Sequence, residues 1–370
     1  MNAVPALSID VNPAMATFSS AKSPQTLQFE SEITEFFEST EGLSLGSFIP
    51  HERESLVSLF ESETATLIRA VVDSIPFRPD ALDQTSQIPE ILKTALRDQS
   101  MLIGTAYAFC MAVIFVTLRE YSGALIGSNP TWLRSNRKKI SIAPHTLSRG
   151  LRRNCSNMLS DIRDAFRCCG STVPSFSMCA DVKNMPLNDA TAARIITSPP
   201  YLTRIDYAVS TSPELILLGD DELLKYVRHR SMGAPVITKE SKDQREQWGA
   251  LCNDVLNSIK SHDTKAAASY YWKNIVQYFM DSDAALKEIL RVLRPGGRGL
   301  IVVQSSYFKE IDLPLGDIYV DMARAKGLIA EIAYREVVKG HMAHVNTKSS
   351  AYKKNKVYFE DFVHVQKPQH

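Results

Sequence analysis

Residues 101–118, MLIGTAYAFCMAVIFVTL, form an 18-residue run without a single charge. A helix that is apolar on every side has two homes, a bilayer or the interior of a helical bundle. Eighteen residues is the lower limit for a span, and this run carries Thr105, Tyr107, Cys110 and Thr117 and is bracketed by Arg97, Asp98, Arg119 and Glu120. No partner segment of the same kind occurs elsewhere. The reading is therefore a buried helix and no membrane. The N-terminus has no basic region ahead of its apolar residues, which is unlike a secretory leader and points to a cytoplasmic protein. The six cysteines contain no CxxC pair, so they read as reduced thiols, and no zinc or other metal site is expected. With 42 basic and 41 acidic residues, net +1, any attraction to nucleic acid must be local.

Residues 6–10 read as a short strand ending in Asp10, followed by Asn12-Pro13 and a helix to about residue 22. Residues 23–170 carry helical spacing, with Ile33, Phe36 and Phe37, then Leu56, Leu59 and Phe60, then Leu92 and Leu96, interrupted by Pro50, Pro76, Pro79, Pro89 and Pro130. After Gly170 strand and helix signals alternate: strands near 175–181, 194–200, 299–304, 328–338 and 356–365, with helices to about 293 and over 318–326. Such alternation predicts an α/β fold whose mainly parallel sheet has helices on both faces, an antiparallel hairpin at one edge and a crevice at the strand ends. The division expected is an N-terminal fragment of the core (1–24), a helical insertion (25–170) and the remaining core (171–370). No repeat or low-complexity stretch is present.

The strongest chemical signal is Thr197-Ser198-Pro199-Pro200-Tyr201, directly after the apolar Ile195-Ile196. A hydroxyl, two prolines and an aromatic at the C-terminal end of a strand make a stiff loop that lacks two backbone donors and offers acceptors and a flat ring. That chemistry suits an exocyclic amine on a nucleobase. Its lone pair is delocalised into the ring, so a catalyst must accept hydrogen bonds from the NH2 and hold the nitrogen in line with an electrophile. Ser198 Oγ and the Pro199 carbonyl fit the first task, and Tyr201 would stack on a base taken out of the duplex.

Here the chain resembles the S-adenosylmethionine-dependent amino-methyltransferases, which methylate cytosine N4 or adenine N6 in DNA through a Ser/Asp/Asn-Pro-Pro-Tyr/Phe motif. Ala180-Asp181 with Met185-Pro186-Leu187 is similar to the family's adenine-contacting strand end, and ALKEILRVLRPGG (285–297) to the helix and turn before its fifth strand. Ser8-Ile9-Asp10-Val11-Asn12-Pro13 is similar to its second strand, whose acid binds the ribose of the methyl donor. The resemblance implies a Rossmann-like class I methyltransferase sheet with a helical insertion, S-adenosylmethionine as cofactor and DNA as substrate, as in restriction-modification. It assigns Ser198, Pro199, Pro200 and Tyr201 to catalysis and Asp10, Asp181 and Thr197 to the cofactor. The Ser form of the motif is associated with cytosine N4.

One family element is missing. In a Rossmann-like unit the ribose-binding acid lies roughly 20 residues beyond the glycine loop, yet nine residues precede Asp10, and no Phe/Pro-x-Gly-x-Gly follows a strand downstream. Gly296 and Gly297 follow a helix and precede a strand, the reverse of a nucleotide loop, and read as a helix-terminating turn. The first strand and cofactor cradle are therefore expected from a second polypeptide, or belonged to a longer ancestral chain. The lone chain should bind cofactor weakly or not at all.

Residues 131–160 hold Arg134, Arg137, Lys138, Lys139, Arg149, Arg152 and Arg153 without an acid, a cationic patch suited to phosphate or to mere solvation. Arg204, Asp206 and Tyr207 follow the motif closely enough to shape a base pocket or to form a structural ion pair. His341 and His344 lack a third ligand nearby; Trp132, Trp248 and Trp272 read as anchors; Lys348, Lys353, Lys354 and Lys356 suit phosphate contact or edge protection. A catalytically silent nucleic-acid-binding or scaffold subunit, and a methyltransferase acting on RNA or a small amine, remain open readings.

Overall fold

A computed structural model describes residues 5–42, 55–77, 89–98, 102–122, 138–169, 175–202, 206–234, 236–237, 245–338 and 356–369. The chain divides into two compact units, one of residues 1–181 and 207–230, the other of 182–206 and 231–370. The segment expected as a helical insertion lies wholly within the first unit, together with the first two strands.

In the first unit, β1 (Ala6–Asp10) leads into α1 (Pro13–Ala21), then α2 (Glu30–Ser39), α3 (Ser62–Asp73), α4 (Glu90–Ala95), α5 (Thr105–Ser122), α6 (Pro144–Cys169), β2 (Ser175–Cys179), α7 (Tyr207–Ser210), α8 (Ser212–Leu218) and α9 (Asp221–Arg230). β1 and β2 pair in parallel, Ala6 with Ser175 through Asp10 with Cys179. The Asn12 side chain caps α1 by accepting from the Ala14 N–H at 3.0 Å, and Pro13 starts the helix where no N–H is needed. The charge-free run becomes α5, and Ala108, Phe109, Cys110, Met111, Ala112, Val113, Ile114 and Phe115 are each 1% exposed or less. Burial on all sides explains why the helix needs no polar face. Among the described residues no helix is long and apolar enough to cross a membrane. At the end of α5, Arg119 forms an ion pair with the buried Glu214 of α8 and donates to the Ser210 carbonyl at 2.7 Å.

Burial also silences most thiols of this unit. It pushes the Cys110 thiol far above its ordinary range, Cys155 up to about 12 and Cys179 up to about 11. Cys168 is exposed. In native protein at pH 8, iodoacetamide should alkylate Cys168 within minutes and leave Cys110 and Cys155 unmodified until the chain is unfolded; peptide mass mapping reads this directly.

The second unit contains β3 (Ala192–Thr197), α10 (Ala250–Lys260), α11 (Trp272–Val292), β4 (Leu293–Gln304), β5 (Ser306–Phe308), β6 (Ile311–Leu313), α12 (Leu315–Ala325), β7 (Ile329–Val337) and β8 (Phe359–Gln366). Its main sheet runs β3-β4-β8-β7; β5 and β6 form a small separate hairpin. β3 pairs with β4 in parallel, whereas β8 is antiparallel to both β4 and β7. The architecture is mixed α/β, and two expectations need correction. The main sheet is mixed rather than mainly parallel, because β8 reverses between β4 and β7. The expected hairpin at the edge is present as β7 and β8.

Among the described residues, helices cover one face of this sheet and not both. Register places Gly299, Val365 and Ala330, then Ile301 and Val363, on a common face, and Ile301, Val363, Val365 and Ala330 are 0–3% exposed. Gly316 of α12 sits so close to Asp361 on that face that a Cβ there has no room. Tyr319 of α12 bonds to Ser282 of α11 at 2.9 Å, which places α11 against the same layer. The opposite face carries Ile196 at 80% exposure, Tyr334 at 58% and Ile329 at 57%.

Candidate active site

The proline loop sits where strand order positions it, at the C-terminal end of β3. Thr197 is opposite Ile301 of β4, the last pair of the parallel ladder. Just beyond, the Ser198 hydroxyl donates to the Val302 carbonyl at 3.2 Å. Its proton is thereby committed to β4, and the oxygen's lone pairs are left to accept. The Pro199 carbonyl accepts no hydrogen bond among the described residues. Two acceptors thus stand at adjacent positions of an exposed corner. Tyr201 Oη donates to Glu360 Oε1 of β8 at 3.0 Å, so the ring is tied to a second strand. Gly233, at φ +71°, passes behind the loop, 3.6 Å from the Tyr201 carbonyl and 3.7 Å from Pro200 Cβ when measured from a would-be Cβ. A left-handed residue is needed there, and glycine supplies it without strain.

The two acids assigned to the cofactor come together within the first unit. Asp10 ends β1 and Asp181 follows the end of β2, the Ala180 N–H donating to the Asp10 carbonyl at 2.9 Å. The Asn12 N–H donates to Asp10 Oδ1 at 2.8 Å, which orients the carboxylate and leaves Oδ2 for another donor. The carboxylate keeps substantial access to solvent, but the surrounding protein removes enough water to raise its pKa against the lowering effect of that N–H. Asp181 lies 3.7 Å from the Arg230 guanidinium of α9, an ion pair that the sequence gave no means of finding. Thr197, Ser198, Pro199, Pro200 and Tyr201 belong to the second unit, so the structure groups the candidate residues into two sets.

A carboxylate with one oriented oxygen free is the group that would hold vicinal ribose hydroxyls, and Asp10 fits that role. Nothing in the sequence supplies the glycine-rich backbone cradle. The fit to S-adenosylmethionine is therefore to its ribose side, with the methionine side unprovided for.

The cationic patch is partly neutralised. Arg152 pairs with Glu41 at 2.8 Å and Arg153 pairs with Glu120, acids that come from outside the acid-free window. Lys138, Lys139 and Arg149 are exposed. Arg134, Arg137, Arg204, Trp132, His341, His344, Lys348, Lys353 and Lys354 lie outside the described residues. Asp206 is buried, and Trp248 is a core residue packed against Phe279. Among the described residues no group of three metal-ligating side chains occurs. Glu360 and the β4 carbonyl were not legible beforehand, since both reach the loop through pairings more than a hundred residues away in sequence. No family model, curated protein or solved structure matches this chain.

Proposed function

We propose that this chain carries the target-base clamp of an S-adenosylmethionine-dependent amino-methyltransferase that modifies an exocyclic amine of a DNA base, cytosine N4 first, inside the cell. The observation that carries the reading is the committed Ser198 proton: its Oγ and the neighbouring Pro199 carbonyl are left as acceptors on one corner. Those are the groups that an NH2 needs if its two hydrogens are to be held and its lone pair turned out of the ring plane.

Strand arrangement supports the reading. A Rossmann-like methyltransferase sheet lacking its first strand should be interrupted, and this chain has two sheets, ended by β1 and β3, each with an unpaired side. A second polypeptide providing that strand and the glycine loop is part of the proposal.

When bound, S-adenosylmethionine supplies an electrophilic methyl group on a sulfonium. The chain's own work is to receive an extruded base on the Tyr201 ring, to hold its amine through Ser198 Oγ and the Pro199 carbonyl, and to leave the nitrogen lone pair facing the incoming methyl. The amine proton released after transfer passes from the exposed Ser198 corner to water. No covalent bond to the enzyme is needed. Asp10 would hold the ribose hydroxyls.

Nucleoside mass spectrometry of DNA from cells with and without the gene tests the proposal: N4-methylcytosine should vanish with the gene. Loss of N6-methyladenine instead moves the substrate to adenine, and unchanged DNA overturns the assignment. By titration calorimetry, the isolated chain should show no S-adenosylmethionine binding tighter than about a millimolar Kd, the level at which only the weakest binding free energy remains.

A further inference from the structure

The open face of the main sheet and the open side of β3 adjoin one another. Ile196, Leu300, Val302 and Phe362 share that face by register, with Ile196 at 80% exposure and the other three half-buried. At the end of the face where β3 begins, Arg194 of β3 lies opposite Arg298 of β4. Both are exposed, and neither guanidinium has a hydrogen bond or ion pair. Two neighbouring unpaired cations below an apolar stripe are a poor end state for a sheet with a parallel edge, since such sheets are normally covered on both faces.

Geometry narrows what covers it. Four strands about 4.8 Å apart and five residues of about 3.3 Å each give a face of roughly 300 Å². That is well under the ~800 Å² per partner of a standard stable interface, so a second copy laid face to face is too small a match. An occupant must also take the β3 edge. A strand added parallel to β3, followed by a helix leading away from β4, puts that helix on a definite side, because such crossovers are right-handed. The β3-to-β4 connection contains α11, which packs with α12 on the covered face. The added helix therefore falls on the open one. Running back from the C-terminal ends of the strands, its last turns pass over Arg194 and Arg298.

We infer that this surface docks a strand-loop-helix segment of a second polypeptide, whose helix has an apolar stripe for Ile196, Leu300, Val302 and Phe362 and acidic residues in its last two turns for Arg194 and Arg298. This rests on the proposed function only in taking the second polypeptide to be the one that completes the enzyme; the surface itself does not depend on the chemistry.

The test uses the full chain in the cells it comes from, with the photo-crosslinking residue benzoylphenylalanine at position 196. Irradiation should give an adduct, mapped by peptide mass spectrometry to the helix of such a segment. An adduct with a second copy of this chain, with a polypeptide lacking the segment, or with nothing overturns the inference. With the captured polypeptide purified, Arg194→Glu/Arg298→Glu should weaken binding at least tenfold, and changing the helix acids to lysine should restore it. Arg194→Gln is a milder companion for which a tenfold loss is not needed, but a measurable one is. Unchanged affinity in variants with wild-type thermal melting removes the charge contact and the inference with it. Binding reports on this surface and methylation on the proposed function: a tight pair that methylates nothing sinks only the second, and an active pair indifferent to Ile196, Arg194 and Arg298 sinks only the first.

Discussion

Ser198→Ala is expected to lower methyl transfer by the reconstituted pair about a hundredfold or more, the usual cost of removing one preorganised hydrogen-bonding group from a reacting centre. DNA affinity should stay within about twofold, because the hydroxyl is one small contact in an interface dominated by phosphate contacts. The argument runs through Val302. Its carbonyl takes the Ser198 proton, so the oxygen faces the amine as an acceptor, and alanine leaves only the Pro199 carbonyl to hold two N–H groups. Ser198→Thr keeps the hydroxyl and should retain more activity than alanine. Single-turnover methylation with tritiated cofactor measures the chemical step without product release. A rate for Ser198→Ala within a few-fold of wild type would show that this loop is an ordinary turn and would leave the scaffold-subunit reading standing.

Arg119→Leu should cost about 3–5 kcal/mol of stability, the penalty for stranding a buried charge by removing its partner. Glu214 is 1% exposed, and the Arg119 guanidinium is its partner. The same change also frees the Ser210 carbonyl from its 2.7 Å bond. The double variant Arg119→Leu/Glu214→Leu should recover most of the loss, since a well-packed apolar pair can replace a buried ion pair at little cost. Urea unfolding of the three variants, followed by circular dichroism, forms the cycle. Similar stability for Arg119→Leu and wild type would mean that Glu214 is protonated or hydrated in place.

Local patterns made much of this architecture legible. Ala6–Asp10, the Asn12 cap and the helix beginning at Pro13 all declare themselves within a dozen residues, and the charge-free run could only be interior. The proline loop at the end of β3 was equally plain, because Pro-Pro after an apolar strand has few other uses. Long-range pairing was harder. Nothing in 359–366 announces that β8 lies between β4 and β7, and the mixed rather than mainly parallel sheet follows from that placement. The cationic window misled for a related reason: Glu41 and Glu120, remote in sequence, pair with Arg152 and Arg153. Arg194 and Arg298 were invisible as a pair until β3 and β4 were in register. Charge counted along a chain cannot show which charges meet.

The bond from Tyr201 to Glu360 has a consequence for how this chain tolerates change. Glu360 and Asp361 are consecutive on β8 and face opposite ways, one holding the aromatic ring and the other buried at 0% exposure with Arg335 donating to it at 2.5 Å. Insertion or deletion of one residue in β8 exchanges the two. Such a slip would release the ring and drop a glutamate into the crowded niche beside Gly316 in the same stroke. Length in that strand is thus under a double lock, and lineages descended from this sequence should vary freely in the composition of its outward positions while keeping the spacing between them fixed.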